Sequence, residues 1–289
     1  MKRRDALKTL CAVGGAAAAA PALHAEEGSA ISGERDILGV LVDTTKCLGC
    51  RMCEYACADA NGLPTPDADV ELGPDRESTP DQWTVVQRYE TEAGPVTVKR
   101  QCMHCLQPAC ATACLTKAMY KTTDGPVIWR SRKCMGCRYC MLSCPFDVPK
   151  FEYDSAVPKI QKCVMCWSRL AEGEQPACVA NCPAGALTFG RRADLLEEAR
   201  SRIYTEPDRY VHHVYGEREA GGTSWLYLSA APFEQLGFRT DLGTVGYPTY
   251  TKEFLYAVPL VLTLVPPFLL ALSRATQGRD EESDEGGEE

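Results

Sequence analysis

The chain has 289 residues, enough for one or two domains with ordinary hydrophobic cores, and it contains 17 cysteines. Its formal charge of -8 arises mainly at one end, because residues 280–289 carry seven acidic side chains and no basic one. No basic run or face stands out elsewhere, so no nucleic-acid partner is predicted. Only four histidines are present, which argues against a metal centre built on histidine.

The N-terminus has the pattern of an export signal. Arg3 and Arg4 precede an uncharged stretch that is rich in alanine and glycine. Paired arginines before such a stretch are typical of the twin-arginine route, and the small residues argue against a membrane-spanning helix. We therefore predict a signal peptide over residues 1–25, with cleavage after Ala22 or after Ala25. The alternative is a basic amphipathic start that carries no export information.

Sixteen of the cysteines fall into four groups of four. The first and third groups have the spacing CxxCxxCxxxC, and the other two have the same pattern with a longer middle gap. Two intervening residues allow the chain to curl, so that successive sulfurs and backbone N–H groups face one centre. A longer middle loop leaves that geometry intact. In chain order the groups are Cys47, Cys50, Cys53 and Cys57; Cys102, Cys105, Cys110 and Cys114; Cys134, Cys137, Cys140 and Cys144; and Cys163, Cys166, Cys178 and Cys182.

Other uses of these cysteines have to be weighed. Disulfides suit an exported chain with an even number of thiols, but CxxC pairs in series are poor disulfide geometry, and the twin-arginine route exports folded proteins. Zinc ribbons use two CxxC pairs for each ion and do not need a third cysteine at the next step. No CxxC is followed by histidine, so covalent c-type haem is not predicted.

Between the cysteine groups the sequence predicts strands, helices and irregular segments. Residues 61–82 are rich in proline, aspartate and glycine, which favours an irregular excursion on the surface. β-Branched residues on both sides of residues 91–94 predict a hairpin. We also predict a short strand over 127–130, a surface helix over 194–203 and a strand over 224–229.

An uncharged run over residues 254–272 precedes the acidic end of the chain. As a helix it spans about 28 Å, close to the thickness of one hydrocarbon core. Pro259, Pro266 and Pro267 each remove a backbone donor, so we predict a bent transmembrane helix supported by a neighbouring membrane subunit. A buried hairpin or core helix is the alternative. If the body is exported, residues 273–289 form an acidic cytoplasmic tail.

The cysteine spacing resembles that of bacterial ferredoxins, in which three thiolates bind one [4Fe–4S] cubane and the fourth binds its neighbour. The short connection between the second and third groups resembles a compact two-cluster unit, which leaves the first group to pair with the fourth. The resemblance implies an α+β fold of two pseudo-symmetric ferredoxin-like modules, with inserted loops and a hairpin, over residues 36–233. A linker over 234–253 leads to the membrane helix. The implied ligand sets are Cys47, Cys50, Cys53 and Cys182 for cluster 1; Cys57, Cys163, Cys166 and Cys178 for cluster 2; Cys102, Cys105, Cys110 and Cys144 for cluster 3; and Cys114, Cys134, Cys137 and Cys140 for cluster 4.

Longer stretches resemble a family of four-cluster electron-transfer subunits, above all the iron–sulfur subunit of Hyb-type membrane-bound nickel–iron hydrogenases. Besides the cysteines and the two ends, the resemblance rests on QCMHC at 101–105, CMGCRYC at 134–140 and GGTSWLYL at 221–228. It implies four [4Fe–4S] clusters that pass electrons from a periplasmic catalytic subunit, most often a hydrogenase, to a membrane subunit that reduces quinone. The β-subunits of formate dehydrogenases and other molybdopterin oxidoreductases have similar cysteine groups. A structural protein rich in disulfides or zinc is the rival from a different class.

The chain offers no open metal site, nucleophile or acid–base pair, so substrate chemistry belongs to another subunit. A cubane held by four thiolates has a net charge of about -2, and its burial needs N–H groups and cations nearby. Basic residues beside the cysteines are Lys46, Arg51, Lys99, Arg100, Arg132, Lys133, Arg138 and Lys162. The candidates for tuning a cluster are His104, Lys133, Arg138 and Lys162. Solvated surface roles are the alternative for the basic residues, and simple packing is the alternative for the histidine.

Overall fold

The computed structural model describes residues 37–284. The predicted signal peptide and the last five residues of the acidic tail lie outside the described residues. The strands in chain order are β1 (Leu38–Asp43), β2 (Val85–Thr91), β3 (Gly94–Arg100), β4 (Met119–Lys121), β5 (Val127–Trp129), β6 (Lys150–Phe151), β7 (Ile160–Gln161), β8 (Leu187–Arg191) and β9 (Trp225–Leu228). The α-helices are α1 (Met52–Asn61), α2 (Ala109–Thr112), α3 (Tyr139–Leu142), α4 (Trp167–Ala171), α5 (Ala177–Ala180), α6 (Arg192–Thr205) and α7 (Tyr247–Asp284).

Strand β1 is the centre of a three-stranded sheet. It pairs antiparallel with β8 and parallel with β9, in the order β8-β1-β9. The strand is buried along most of its length, as its sequence LGVLVD suggests for a strand covered on both faces. The sheet therefore joins three segments that are far apart in the chain: the start of the body, the segment after the fourth cysteine group, and the segment before the C-terminal helix.

The two faces of this sheet support two different cores. Val40 and Val42 lie in a cluster with Trp225 and Tyr227, whereas Leu41 lies on the other side with residues of α6. The alternation follows from the two-residue period of a strand. The cluster around Trp225 also contains Val98 of β3 and therefore connects the sheet to the β2–β3 hairpin, which leads toward the cysteine groups.

Several predicted elements are confirmed. The hairpin consists of β2 and β3, which pair up to Thr91 and Gly94 and leave a two-residue turn. The predicted surface helix is α6, and the predicted strand over 224–229 is β9. The strand expected over 127–130 is β5, and it pairs with β4, which the sequence analysis did not predict.

The excursion over residues 62–82 contains no regular helix or strand in the structure, as predicted, but it is firmly attached. The carboxylate of Glu54, on α1, accepts hydrogen bonds from Arg76 at 2.7 Å and from Gln82 at 3.0 Å. Arg51 donates to the carbonyl of Asp67 at 2.6 Å. Residues at the N-terminal end of α1 therefore hold the excursion in place.

The helix before the last cysteine of a group ends early in three groups and continues past that cysteine in the first. After Cys57 comes Ala58, and α1 continues to Asn61. Pro145 and Pro183 follow the last cysteines of the third and fourth groups, and α3 and α5 end two residues before those cysteines. Helix α2 also ends two residues before the last cysteine of its group, Cys114, although Leu115 follows that cysteine, so a proline is not required for the early end.

Helix α7 is continuous through Pro259, Pro266 and Pro267. Among the described residues, one helix is long and apolar enough to cross a membrane, judged by length and composition, and it covers Tyr247–Arg274. The base of α7 contacts α2, and Thr249 donates a hydrogen bond to the side chain of Gln107 at 3.2 Å. The helix therefore starts beside the second cysteine group.

Candidate metal centres

In each group, the first CxxC segment has a left-handed residue just before its second cysteine. A residue in this conformation reverses the direction of the chain, so that the flanking thiols face the same side. For a residue other than glycine, the conformation costs roughly 1–2 kcal/mol, which the surrounding structure must supply. The φ angles are 69° at Gly49, 49° at His104, 74° at Gly136 and 54° at Met165.

A second feature recurs after the last cysteine of three groups. The residue three positions later has a positive φ, and its N–H donates to the carbonyl of that cysteine at 3.0–3.2 Å. Because the first group continues as helix α1, it lacks this turn. The residues that form the turn are Lys117, Asp147 and Gly185, which follow Cys114, Cys144 and Cys182 respectively.

Two cavities are each lined by four cysteines. In both cases three cysteines come from one group and the fourth comes from another group. These two combinations are the same as the ligand sets predicted for clusters 1 and 4, although ligation by each set stays a prediction. The first cavity contains Cys47, Cys50, Cys53 and Cys182 in its wall, and the second contains Cys114, Cys134, Cys137 and Cys140.

The remaining eight cysteines are neighbours in the same crossed arrangement. Burial raises the pKa of the Cys57 thiol to about 11, and the nearby thiols of Cys178 and Cys166 add to this effect. Burial also raises the pKa of Cys105, and the nearby thiols of Cys102, Cys144 and Cys110 raise it further.

Electrostatic contacts between the sets give them a linear order. Besides burial, the thiol of Cys178 raises the pKa of Cys53, which connects the first set to the second. The thiol of Cys102 adds to the effect of burial on the pKa of Cys163, which connects the second set to the third. In the same way Cys140 raises the pKa of Cys110, so the third set adjoins the fourth.

The two ends of this order differ from its middle. Cys50 in the first set and Cys137 in the fourth set are exposed, whereas Cys163 in the second set and Cys102 in the third are buried. Each terminal set therefore presents one cysteine to the surface, and electron exchange with another protein is possible at both ends.

The environment of the sulfurs fits an iron–sulfur cluster. The backbone N–H groups of Met119 and Met165 donate to the sulfurs of Cys114 and Cys163, both at 3.3 Å. Trp129 lines the cavity of the fourth set, and its buried indole nitrogen has no hydrogen-bond partner in the described part of the chain. N–H donors directed at sulfur are the groups that a negatively charged cluster requires.

Single ions and disulfides are less well supported by the geometry. Over residues 37–284, no three histidine, cysteine or carboxylate side chains are grouped as a single metal ion requires. The sixteen cysteines that the structure describes are all free thiols. Burial raises the pKa of Cys140 and Cys144 to about 11, so these thiols lose their protons readily only when a metal takes the proton's place.

Two predicted tuning residues lie in the interior. His104 is fully buried, and its Nδ1 accepts a hydrogen bond from the N–H of Val127 at 2.8 Å. Burial lowers the pKa of His104, so the ring is neutral and carries its proton on the buried Nε2. Lys162 is also buried, and it donates to the carbonyls of Val127 and Cys163.

The other two candidates lie nearer the surface. The guanidinium of Arg138 lies 5.3 Å from the ring centre of Phe151, and the residue lines the cavity that contains Cys137. The side chain of Lys133 is exposed. Trp129, whose unpartnered indole lines the cavity of the fourth set, was not among the residues predicted from the sequence. It lies in the strand predicted over 127–130, where alternate residues face opposite sides.

A larger open groove lies away from the cysteines. Its wall includes Tyr204, His212 and Arg218 but none of the sixteen thiols. Its charged groups largely pair with one another, as in the contact between Arg200 and Glu217 at 2.7 Å. The cysteine cavities, and not this groove, therefore contain the chemistry of the chain.

Comparison with protein families agrees with this arrangement. Two family models match, both described as a 4Fe-4S dicluster domain, over residues 46–118 and 96–192. Together the matched residues contain all sixteen cysteines of the four groups. The predicted [4Fe–4S] cofactors are thus confirmed, and two dicluster domains are consistent with four clusters.

Relatives extend the likeness to the whole chain. A protein of Nitratidesulfovibrio vulgaris is 48% identical over 97% of this chain and 78% of its own length. The hydrogenase-2 operon protein HybA of Escherichia coli O157:H7 is 34% identical over 84% of this chain and 86% of its own length. The chain belongs to the HybA family of iron–sulfur electron-transfer subunits. The iron–sulfur subunit of the nitrate-inducible formate dehydrogenase of Escherichia coli K12 is 33% identical, over 65% of this chain and 66% of its own length.

Proposed function

We propose that this HybA-family chain passes electrons from a periplasmic nickel–iron hydrogenase to an integral membrane subunit that reduces quinone. The observation that carries the proposal is the linear order of the four cysteine sets with an exposed cysteine at each end. When bound, [4Fe–4S] clusters supply one-electron transfer. The chain's own residues hold the sulfurs, exclude water and place positive charge. The hydrogenase assignment is favoured because the similarity to HybA covers 84% of the chain, against 65% for the formate dehydrogenase subunit.

The crossed ligand sets are part of the proposal. Three thiols of each group and the fourth thiol of its partner group would hold one cluster. The cavities lined by the first and fourth sets support this partition, and so do the neighbouring thiols of the second and third sets. The sets are those named in the sequence analysis, without change.

We further propose that the body over residues 36–233 consists of two pseudo-symmetric modules. Helix α1 contacts α5, and α2 contacts α3, which supports pairing of the first group with the fourth and of the second with the third. The first and third groups each follow a short 3-10 helix, over Thr44–Lys46 and Ser131–Lys133. A proline precedes the short helix in the second and fourth groups. These recurring features are what a repeated module would produce.

The proposed location is the periplasmic side of the inner membrane. Export by the signal peptide over 1–25, a linker over 234–253, a transmembrane helix over 254–272 and a cytoplasmic tail over 273–289 would give this topology. Support comes from the length and composition of the helix. Because the base of α7 lies beside α2, which carries Cys110, the third and fourth sets would be nearest to the membrane.

Purification of the full-length chain from detergent-solubilised membranes under anoxic conditions tests this proposal. We expect a nickel–iron hydrogenase and a membrane subunit to co-purify, and we expect the membranes to couple hydrogen oxidation to quinone reduction. Deletion of residues 254–272 should release the complex from the membrane or abolish this coupling. Unchanged fractionation and unchanged coupling would contradict the anchoring role.

A molybdopterin oxidoreductase such as formate dehydrogenase is the second candidate partner. The 33% identity to a formate dehydrogenase iron–sulfur subunit favours it. Co-purification of a molybdenum-containing subunit, together with quinone reduction by formate and not by hydrogen, would replace the hydrogenase assignment. The electron-transfer role of the chain itself would be unaffected.

A further inference from the structure

Lys99 occupies an unusual position for a lysine side chain. It lies on β3, where alternate residues face opposite sides. Val98 faces the apolar cluster around Trp225, whereas Thr97 faces the first cysteine group and donates a hydrogen bond to the carbonyl of Cys47 at 2.9 Å. Lys99 is therefore directed toward the cysteines, and it is buried to 98%.

The ammonium group of Lys99 is held in place by polar and aromatic neighbours. Its Nζ donates to the Gln101 side-chain oxygen at 2.8 Å and lies 4.3 Å from the ring centre of Trp225. The amide nitrogen of Gln101 donates to the hydroxyl of Tyr227 at 2.7 Å, and that hydroxyl donates to the carbonyl of Lys99 at 3.0 Å. These bonds leave the side chain little freedom to move away.

Lys99 has no carboxylate in ion-pairing distance among the residues that the structure describes. A buried ammonium without a counter-charge is strongly unfavourable. The groups near it that become negative when they bind a cluster are the cysteine thiols. Lys99 lines the cavity that contains Cys53, and the ring of Trp225 beside its ammonium lies in the same cluster as Cys178.

Those thiols belong to two different ligand sets. Lys99 lines the cavity of the first set, next to Cys53, and its ammonium also lies close enough to Cys178 and Cys163 of the second set to interact with both. The charge of this one side chain is therefore shared between the first two cavities. Lys162 lies elsewhere, near the second and third sets, where its ammonium donates to the backbone carbonyls of Val127 and Cys163.

We propose that Lys99 is the common counter-cation of clusters 1 and 2 and raises the reduction potentials of this pair. The inference rests on the proposed ligand sets. A fixed positive charge in a poorly screened interior stabilises the reduced, more negative form of a nearby cluster. Gln101 and Trp225 serve as positioning residues that keep the ammonium between the two cavities.

Redox titration monitored by electron paramagnetic resonance tests this inference on the full-length chain in its membrane complex. Lys99→Met removes the charge and keeps most of the side-chain length, and Lys99→Arg keeps the charge. The matched control is Arg88→Gln, which removes a positive charge from the same hairpin at a half-exposed position. Iron and sulfide are measured for every variant.

We expect two of the four midpoint potentials to become more negative in Lys99→Met, by at least a tenfold change in the electron-transfer equilibrium, or about 59 mV for one electron. Lys99→Arg should largely restore them, and Arg88→Gln should leave all four unchanged. Unchanged potentials in Lys99→Met with a full iron content would overturn the inference while leaving the proposed function intact.

Iron content decides the case in which Lys99→Met assembles poorly. A full complement of iron in Lys99→Arg would then support the need for a positive charge at this place, and equal iron loss in both variants would contradict it. A wild-type chain without about sixteen irons would instead disprove the ligand sets themselves.

Discussion

The inner and outer cysteine sets provide two contrasting environments within one chain. The inner sets contain buried thiols, such as Cys102 and Cys163. The outer sets each have an exposed cysteine, with an exposed apolar neighbour such as Leu48 or Met135. The inner sets are thus suited to keeping charge away from water, and the outer sets are suited to exchanging it.

Burial and exposure have different physical consequences for a redox chain. In a poorly screened interior, a single cation or N–H donor has a large effect on a nearby charge. At the surface the same groups have a smaller effect, but a partner can approach closely. Exposed apolar side chains close in sequence to cysteines of the fourth set, including Leu115 and Leu142, mark the kind of surface that other proteins bind.

The largest effect is expected from breaking an inner set. Cys163→Ala removes a buried ligand, so we expect loss of about four irons and a marked fall in accumulation of the folded chain. The other thiols of that set would be left buried without a metal. Iron content and the amount of chain in membranes are the measurements. Normal accumulation with full iron would show that Cys163 is not a ligand.

An outer set should respond differently. Cys137→Ala alters an exposed ligand, so the fold should persist while electron transfer through the chain is disabled. We expect hydrogen oxidation with quinone to be lost and hydrogen oxidation with an artificial acceptor at the catalytic subunit to be retained. Equal loss in both assays would mean that Cys137 mainly supports assembly, and the contrast between inner and outer sets would weaken.

A smaller effect is expected at Glu54, which holds the excursion over residues 62–82 against α1 of the first cysteine group. Its buried carboxylate pairs with Arg51 at 2.9 Å and with Arg76 at 2.7 Å. Glu54→Gln leaves two guanidinium groups without their counter-charge, which we expect to lower stability by about 3–5 kcal/mol. Chemical unfolding under anoxic conditions measures the change, and limited proteolysis should show earlier cleavage in residues 62–82.

Glu90→Gln is the matched control for this prediction. Glu90 pairs with Arg88 at 3.5 Å on the surface, where an ion pair contributes about 0–1 kcal/mol. Similar losses of unfolding free energy in the two variants would show that the contacts of Glu54 do not stabilise the region around the first set.

The smallest effect on stability is expected at the surface beside the fourth set. Leu142 is 83% exposed, so Leu142→Glu should change stability by no more than about 0.5 kcal/mol. We expect it to weaken association with the partner that receives or delivers electrons there. Val157→Glu, at a residue that is 79% exposed and not beside a cysteine, is the control. Equal association of both variants would exclude Leu142 from the docking surface.

The sequence alone predicted the features that depend on local chemistry. The cysteine spacing identified the cofactor, because a third cysteine at the next three-residue step fits an iron–sulfur cubane and is not needed by zinc. β-Branched residues around Thr91 and Gly94 predicted the hairpin. The uncharged run after residue 253 predicted the long C-terminal helix.

Other features depend on contacts between distant residues and could not be predicted. Strand β1 has the composition of a strand, but its place between β8 and β9 depends on segments about 150 and 190 residues further along the chain. The left-handed backbone at His104 and Met165 could not be predicted from these two residues, because histidine and methionine do not favour it. Only the first and third groups have glycine at the equivalent position. The role of Glu54 as a common acceptor appears only when the excursion folds back onto α1.

The most direct test of the account is the iron and acid-labile sulfide content of the full-length chain, purified without oxygen, together with its paramagnetic resonance spectrum after reduction by dithionite. Four clusters on sixteen cysteines require about sixteen irons and about sixteen sulfides per chain, with signals from reduced clusters. Negligible iron, bound zinc and a silent spectrum after anoxic reconstitution would contradict it.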